Sequence, residues 1–349
     1  MGLLTAMLRQ PAALGTGVRK AGVQASFDYI TGSVLRGAFA ARWIAAHQPP
    51  LIDNPRRAEF ERLFEGGVVF GPLLPPDAVP MPRSCWTHKY PPRADCPLWF
   101  DEAVGQVIAP PHRCPVCDQP LRRGAGELRT VRDGALVDPV ATVEDTHVAI
   151  DQHDRAQTGD LFTRRRIAKA QVFQGWLSGP ADDLEAVCAL GPTVWLGGRR
   201  STSGQAAVTH EPRRPTPGPE RLGDSTVILR LASPGLFVDE FAAPSSEPSS
   251  PELEAVLGKG AAITRRWVRW TQVAGWHAAG GLPKPAEAAV APGATYLVQC
   301  NQRPTDEMLA ALGARGLGLR RIEGYGSLCA GPDTVLGPLA IEPSQVVAS

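Results

Sequence analysis

Cysteines at short spacing hold metals, and this sequence has such a set. Cys114-Pro115-Val116-Cys117 is a knuckle-like pair, with Cys85 and Cys96 upstream in the same loop-rich stretch. Four thiolates in a region too irregular to hold itself by packing suit a structural zinc ion with tetrahedral Cys ligation. Ten residues separate Cys85 from Cys96, which is wide for a zinc ribbon, so His88 or His112 could replace one thiolate. A closed site of this kind leaves no open position for water, so its role would be structural. Cys188, Cys300 and Cys329 stand in helix or strand patterns and read as core.

The second kind of chemistry is anion recognition. Gly197-Gly198-Arg199-Arg200 is followed by Gly204, and a later run places Gly316 and Gly318 before Arg320-Arg321 and Gly324-Tyr325-Gly326. Glycine lets the backbone approach phosphate and turn its N–H groups toward it. Arginine adds a planar fork for phosphate oxygens or a face for a base. Tyr325 is expected to be an exposed ring, on which a stacked base would contribute ~1–3 kcal/mol. One glycine-rich turn is commonly just a loop; two in corresponding places point to function. Arg164-Arg165-Arg166 with Lys169 is the densest basic run. Alternate residues of a strand face opposite ways, so only part of that run can line one surface. Arg265, Arg266 and Arg269 alternate with Trp267 and Trp270, which suits a base-stacking surface, a subunit interface or an ordinary core with a charged outer face.

The elements that must position these groups follow from apolar spacing. Leu3–Leu14 reads as a first strand limited by Pro11. A helix opens at Thr31-Gly32-Ser33, with Ser33 as its cap and Leu35, Phe39, Trp43 and Ala46 on one face. A second helix runs from Pro55 to Glu65 after Asn54. From Gly71 to about Val140 periodicity fades into the Pro- and Cys-rich stretch. Thr146–Asp151 and Phe162–Leu177 read as strands, and Asp182–Leu190 as a helix. Glu211–Glu220 is a linker and Ala243–Pro251 a flexible loop. The helix at Asp182–Leu190 with its glycine–arginine turn is echoed by Asp306–Leu312 and the turn after it. Both halves therefore look like copies of one fold. The strand–helix–strand–strand–helix–strand order of the first half fits a ferredoxin-like α+β sheet.

Composition bounds the rest. The 349 residues suggest two units, placed at 1–212 and 221–349 with an insertion at about 71–140. The formal charge of +1 shows no global basic excess, so nucleic-acid binding must rest on local patches. No apolar run approaches the ~20 residues a membrane helix needs. Seven scattered cysteines argue against a secreted disulfide framework and for a reducing, cytoplasmic setting.

Tyr29-Ile30-Thr31-Gly32-Ser33-Val34-Leu35-Arg36-Gly37-Ala38 resembles the glycine-serine turn near the start of the CRISPR RAMP proteins. Phe60-x-x-Leu63-Phe64, Val68-Val69-Phe70-Gly71, Val148-Ala149-Ile150-Asp151 and Val172-Phe173-Gln174-Gly175 resemble its continuation, and Gly316–Gly326 its glycine-rich loop. These anchors touch most of the first 210 residues and the last 45. With two RAMP domains, the chain resembles the subunit that grips the five-prime tag of crRNA in type III effector complexes of the D subtype.

That resemblance implies a non-catalytic subunit with crRNA, a large polymerase-like subunit and backbone RAMP subunits as partners, and target RNA met indirectly. It implies RNA contacts from Gly32, Ser33, Arg36 and Gly37. Further contacts come from Arg199, Arg200, Gly316, Gly318, Arg320, Arg321, Gly324, Tyr325 and Gly326. Arg164, Arg166 and Lys169 could line the RNA path. Two catalytic alternatives belong to the same superfamily. Asp28 stands where backbone subunits carry the aspartate that cuts target RNA, and His47 or His153 could serve a crRNA-processing endoribonuclease. A third reading is a zinc-bearing interaction module whose arginines are mere surface.

Overall fold

The apolar start of the chain forms strand β1 (Gly2–Leu8), which sends Leu4, Ala6 and Leu8 into a core. Helix α1 (Gly32–His47) covers it with Leu35, Ala38, Phe39 and Trp43, whereas Ala46 faces solvent. The helix is capped by Thr31 rather than Ser33. The Thr31 hydroxyl accepts the Val34 N–H at 3.4 Å and meets the Ser33 hydroxyl at 3.1 Å. Strands β2 (Val69–Phe70) and β3 (Val172–Ser178), helix α2 (Ala181–Cys188) and strand β4 (Gln205–Pro212) complete the unit. Its sheet runs β4–β1–β3–β2, with Thr193–Trp195 added outside β4. The computed structural model describes all residues except 21–22, 151–155, 199–201, 213–217, 278–281 and 338–349.

The second unit repeats the plan. Strand β5 (Thr226–Leu231), helix α3 (Ser250–Leu257), strands β6 (Ala262–Trp267) and β7 (Thr295–Gln299), helix α4 (Asp306–Arg315) and strand β8 (Leu328–Cys329) form a sheet ordered β8–β5–β7–β6. Leu253, Leu257, Leu309 and Leu312 pack on this sheet around Tyr296 and Val298. The segment expected as a loop at 243–251 is structured. Pro244–Ser245 pairs with Phe237–Val238, and Ser249 with Pro251 starts α3. Two hairpins leave the units, Thr142–Ile150 with Ala156–Ile167 and Trp270–His277 with Leu282–Val290.

Between β2 and β3 the Pro- and Cys-rich stretch builds two small sheets. Cys85–His88 pairs with Trp99–Asp101 and with Leu121–Arg123, and Leu128–Arg132 pairs with Val79–Pro80 and Ala135–Val137. Ala103 of this insertion packs on Ile228 and Leu297 of the second sheet. The Glu102 carboxylate accepts the indole N–H groups of Trp86 and Trp267, both at 2.7 Å, tying insertion to second unit. Among the described residues no helix is long and apolar enough to cross a membrane.

Candidate metal centre and nucleic-acid interface

His88, Cys96, Cys114 and Cys117 converge so that their ligand atoms all lie within 4.8 Å of one another. Cys114 Sγ is 4.0 Å from Cys96 Sγ, and Cys117 Sγ is 3.4 Å from His88 Nε2. A tetrahedral ion with metal–sulfur bonds of ~2.3 Å would set its sulfurs roughly 3.8 Å apart, so the set fits. The knuckle closes by Cys114 N–H on the Gln119 carbonyl and Asp118 N–H on that of Cys114, both at 2.8 Å. Burial lowers the pKa of His88, which keeps its imidazole neutral as a ligand must be. Burial also pushes the Cys96 thiol up to about 12, and a bound cation would lower it.

Cys85 is not in this cluster. Strand side chains alternate, so Trp86 and His88 face the cluster while Cys85 points away. It packs with Met81 and Trp99 at 0% exposure. His112 is otherwise engaged, stacked on Trp86 with ring centroids 4.2 Å apart and with Nδ1 3.1 Å from the Ile108 carbonyl. The fourth member of the cluster is therefore His88, one of the two histidines the spacing left open. Strand parity was the signal that could have chosen it.

The glycine-serine turn and the second glycine-rich loop meet each other. A Cβ on Gly32 would overlap the Phe70 carbonyl oxygen and come within 2.8 Å of Gly324 Cα. Gly324, at φ +79°, returns the contact, with Gly32 Cα 3.0 Å from its own Cβ position. These glycines let two backbones of the protein approach, so their smallness serves the seam between units. The expected amide cradle is not bare. The N–H groups of Gly318, Leu319 and Gly326 go to Glu252 Oε1, Leu236 O and Pro234 O, each at 2.8 Å. Gly316 and Gly326 face each other across the loop, where Leu317 N–H reaches the Gly326 carbonyl at 2.9 Å.

Three expectations at this loop need correction. Tyr325 is buried at 9% exposure beside Leu236, Val273 and Ala289, so it offers no open ring. Arg320 lies over that ring at 4.7 Å and pairs with Glu287 and, at 2.9 Å, with Glu323. Arg321 lies 3.6 Å from Glu252. Carboxylates therefore occupy both arginines, Glu323 from three residues on and Glu287 and Glu252 from distant elements. Burial works against the Glu323 carboxylate, but Arg320 and Lys284 outweigh it and hold its pKa below the usual range.

Elsewhere the predicted set divides. Ser33 and Arg36 are half-buried and Gly37 is exposed. Arg36 Nε donates to the Phe64 carbonyl, which anchors the arm. In the hairpin, Arg166 pairs with Asp145, and Arg165 stands 3.8 Å from Asp28; Lys169 is exposed. Arg164 is half-buried. Arg199, Arg200 and His153 lie outside the described residues. His47 is a half-buried partner of Arg56 at 2.9 Å, with its ring packed on Trp43. A cleft of about 240 Å³, which sequence reasoning did not foresee, opens beside Asp28 and Tyr29 and is shared with the insertion and the second unit.

A family model described as CRISPR-associated protein (Cas_Cmr3) matches residues 124–333. No curated protein matches the chain. Solved structures that align with it include a chain of the type III-B Cmr-beta bound to cognate target RNA and AMPPnP, at 11% identity, 85% of this chain, 86% of that one and a TM-score of 0.45. Another is from the Csm3–Csm4 subcomplex of the type III-A CRISPR-Cas interference complex, at 11% identity, 88% and 96% coverage and a TM-score of 0.42. The CRISPR-associated protein Cas6 aligns at 8% identity, 94% and 98% coverage and a TM-score of 0.37. The family match spans 210 of the 349 residues. It runs from the last part of the insertion, through β3 to β4 of the first unit, to residue 333 in the second, and the chain therefore belongs to the Cas_Cmr3 family of CRISPR-associated proteins.

Proposed function

We propose that the chain is the non-catalytic subunit of a type III CRISPR effector complex that holds the five-prime tag of crRNA. The observation that carries this reading is the family match over residues 124–333. Its partners are crRNA, the large polymerase-like subunit and the backbone subunits. The matching strand orders of the two sheets support two ferredoxin-like RAMP domains, 1–212 and 221–349. RNA follows the accessible groups at the start of α1 and along the first hairpin, namely Ser33, Arg36, Gly37, Arg164 and Lys169. A helix N-terminus offers N–H groups to phosphate, and the basic run adds charge. A cytoplasmic setting, expected from the scattered cysteines, is part of the same proposal.

The metal of the His88–Cys96–Cys114–Cys117 site is zinc on this reading. Three sulfurs and one imidazole within 4.8 Å of one another suit it, and its chemistry is that of a cross-link. It fixes an insertion whose own core is small.

The test is to purify the chain with its genomic neighbours and sequence the RNA that comes with it. The expected result is a population sharing one repeat-derived five-prime end. RNA of mixed ends, or none, would remove the reading. The same preparation shows which subtype's complex it enters, D as the motifs suggest or B as the family's name does. Asp28 gives the catalytic alternative its one foothold, since it lies at a cleft. Target RNA cut at one site fewer by complexes carrying Asp28→Ala, scored per loaded guide, would install that alternative.

A further inference from the structure

Residues 82–84 of the insertion are pinned to the second unit through its backbone. Arg83 N–H reaches the Gly293 carbonyl at 2.7 Å, and Ala291 N–H reaches the Arg269 carbonyl at 2.8 Å. Gly293 permits this approach, since a Cβ on it, at φ +77°, would lie 2.7 Å from the Met81 carbonyl oxygen. Arg83 and Arg269, far apart in sequence, are thereby brought to one seam. Arg265 precedes Arg269 on β6, the edge strand of its sheet.

Most guanidinium groups at this seam are already neutralised. Glu102 takes Arg123 at 3.2 Å, and Glu247 takes Arg266. Glu127 lies between Arg122 at 3.9 Å and Arg129 at 3.8 Å, and it accepts the Ala125 N–H at 2.7 Å. Arg83, Arg265 and Arg269 differ, for none of them makes an ion pair among the described residues. Arg265 lies over the Trp267 ring at 4.6 Å, which supports the arm without cancelling its charge.

Arg83 shows most clearly that an anion is wanted. It is half-buried, and its Nη1 is enclosed without a hydrogen-bond acceptor. Burial, and after it the charges of Arg269 and Arg123, hold its pKa below the ordinary arginine value, with Glu127 opposing. Like charges gathered at the edge of a protein interior destabilise it unless an anion lies between them. The whole chain has a formal charge of only +1, so this excess is local.

The surface then selects the anion. Arg265 and Arg269 are exposed, and Trp270, next in the chain, keeps 48% of its surface open. The planar fork of arginine matches phosphate oxygens. Three uncompensated guanidinium groups beside a bare indole fit a run of phosphates that carries bases, because bases stack on aromatic rings and arginine planes. An acidic peptide would answer the charge and leave the ring without a partner.

We propose that Arg83 and Arg269 together hold one phosphate of single-stranded RNA at the seam of insertion and second unit, with Arg265 taking another along β6. The inference rests on the RNA-binding reading above and adds a contact surface outside the α1 start and the first hairpin.

The experiment is footprinting of the full chain with the arginine reagent phenylglyoxal, read by mass spectrometry. The chain is probed alone, with inorganic phosphate, with poly-glutamate, and with an oligouridine of about twelve nucleotides, within the range of single-strand site sizes. The RNA should slow modification of the exposed Arg265 and Arg269 several-fold, and the other two additions should not. Anisotropy titrations then test the charges. Arg83→Gln and Arg269→Gln should each weaken the oligouridine about tenfold and reduce the slope of log affinity against log salt by ~0.7. Oligouridine that binds without protecting Arg269, or that binds well-folded Arg83→Gln as tightly as the unaltered chain, overturns the proposal and leaves the RNA-binding reading standing. Equal protection by free phosphate would assign a small anion to the site, and protection by poly-glutamate alone would assign a protein partner; each overturns it. If oligouridine does not bind, the RNA-binding reading fails and this surface fails with it.

Discussion

Arg230 and Asp101 form an ion pair of 2.7 Å at 2% and 1% side-chain exposure, although one belongs to the second sheet and the other to the insertion of the first unit. Glu220, from the end of the linker, takes the other side of the same guanidinium. Its Oε1 accepts the Gly331 N–H and the Thr334 hydroxyl, both at 2.7 Å. Linker, insertion and second unit are thus locked through one buried arginine. Burial disfavours its charge, but Asp101 and Glu220 overcome this and raise its pKa.

Arg230→Met should be severely destabilising. It leaves the Asp101 carboxylate enclosed without its partner, which typically costs ~3–5 kcal/mol. Denaturant unfolding of the full chain measures it, and a loss below 1 kcal/mol would show that the lock is not needed. Adding Asp101→Asn should recover part of the loss, because the uncompensated charge goes with it.

Metal content separates the cysteines. The purified chain should carry about one zinc, and Cys114→Ser or Cys117→Ser should lose it. Cys85→Ser should keep it, since that thiol lies on the other face of its strand. Elemental analysis of the three variants decides the point. Zinc lost from Cys85→Ser alone would overturn the ligand set.

Two glycines of the same motif region should behave oppositely. A Cβ at Gly37 meets nothing within 4 Å, so Gly37→Ala should stabilise α1 by about 0.5–1 kcal/mol. Gly324 combines φ +79° with a Cβ position against the Phe70 carbonyl. Gly324→Ala should therefore cost at least ~1–2 kcal/mol and loosen the seam. Melting temperatures of both variants read the contrast directly.

Acid should weaken the contact of Arg320 and Lys284 with Glu323. The Glu323 pKa is held down in the folded chain, so its contribution is full above the ordinary glutamate range. It is lost as pH falls through the depressed folded value. Glu323→Gln should remove that part of the pH dependence and flatten stability between pH ~5 and ~3. Unfolding free energies at a series of pH values would show an unchanged slope if Glu323 carried no such role.

Much of the chain was legible from local rules. Apolar spacing located β1, α1 and α4, and glycine with acidic helix starts marked the two corresponding halves, because these depend only on neighbours a few residues apart. The motif around Gly32 and the run at Gly316–Gly326 led to a CRISPR type III reading with which the family match agrees. The Cys114–Cys117 knuckle was likewise readable from spacing alone.

Partnership across the chain was decided by the tertiary structure. His88 rather than Cys85 joined Cys96, Cys114 and Cys117 because the pairing of Cys85–His88 with its two neighbours settled which face turned inward. Arg320 and Arg321 were occupied because Glu287, Glu323 and Glu252 arrive from other elements or the next turn. Tyr325 was buried because the second hairpin supplies Val273 and Ala289 to cover it. Gly32 and Gly324, far apart in sequence, became one contact only when the two sheets docked. Residue types and spacing determine which groups are able to act. Which of them are free to do so depends on long-range packing, which no local pattern encodes.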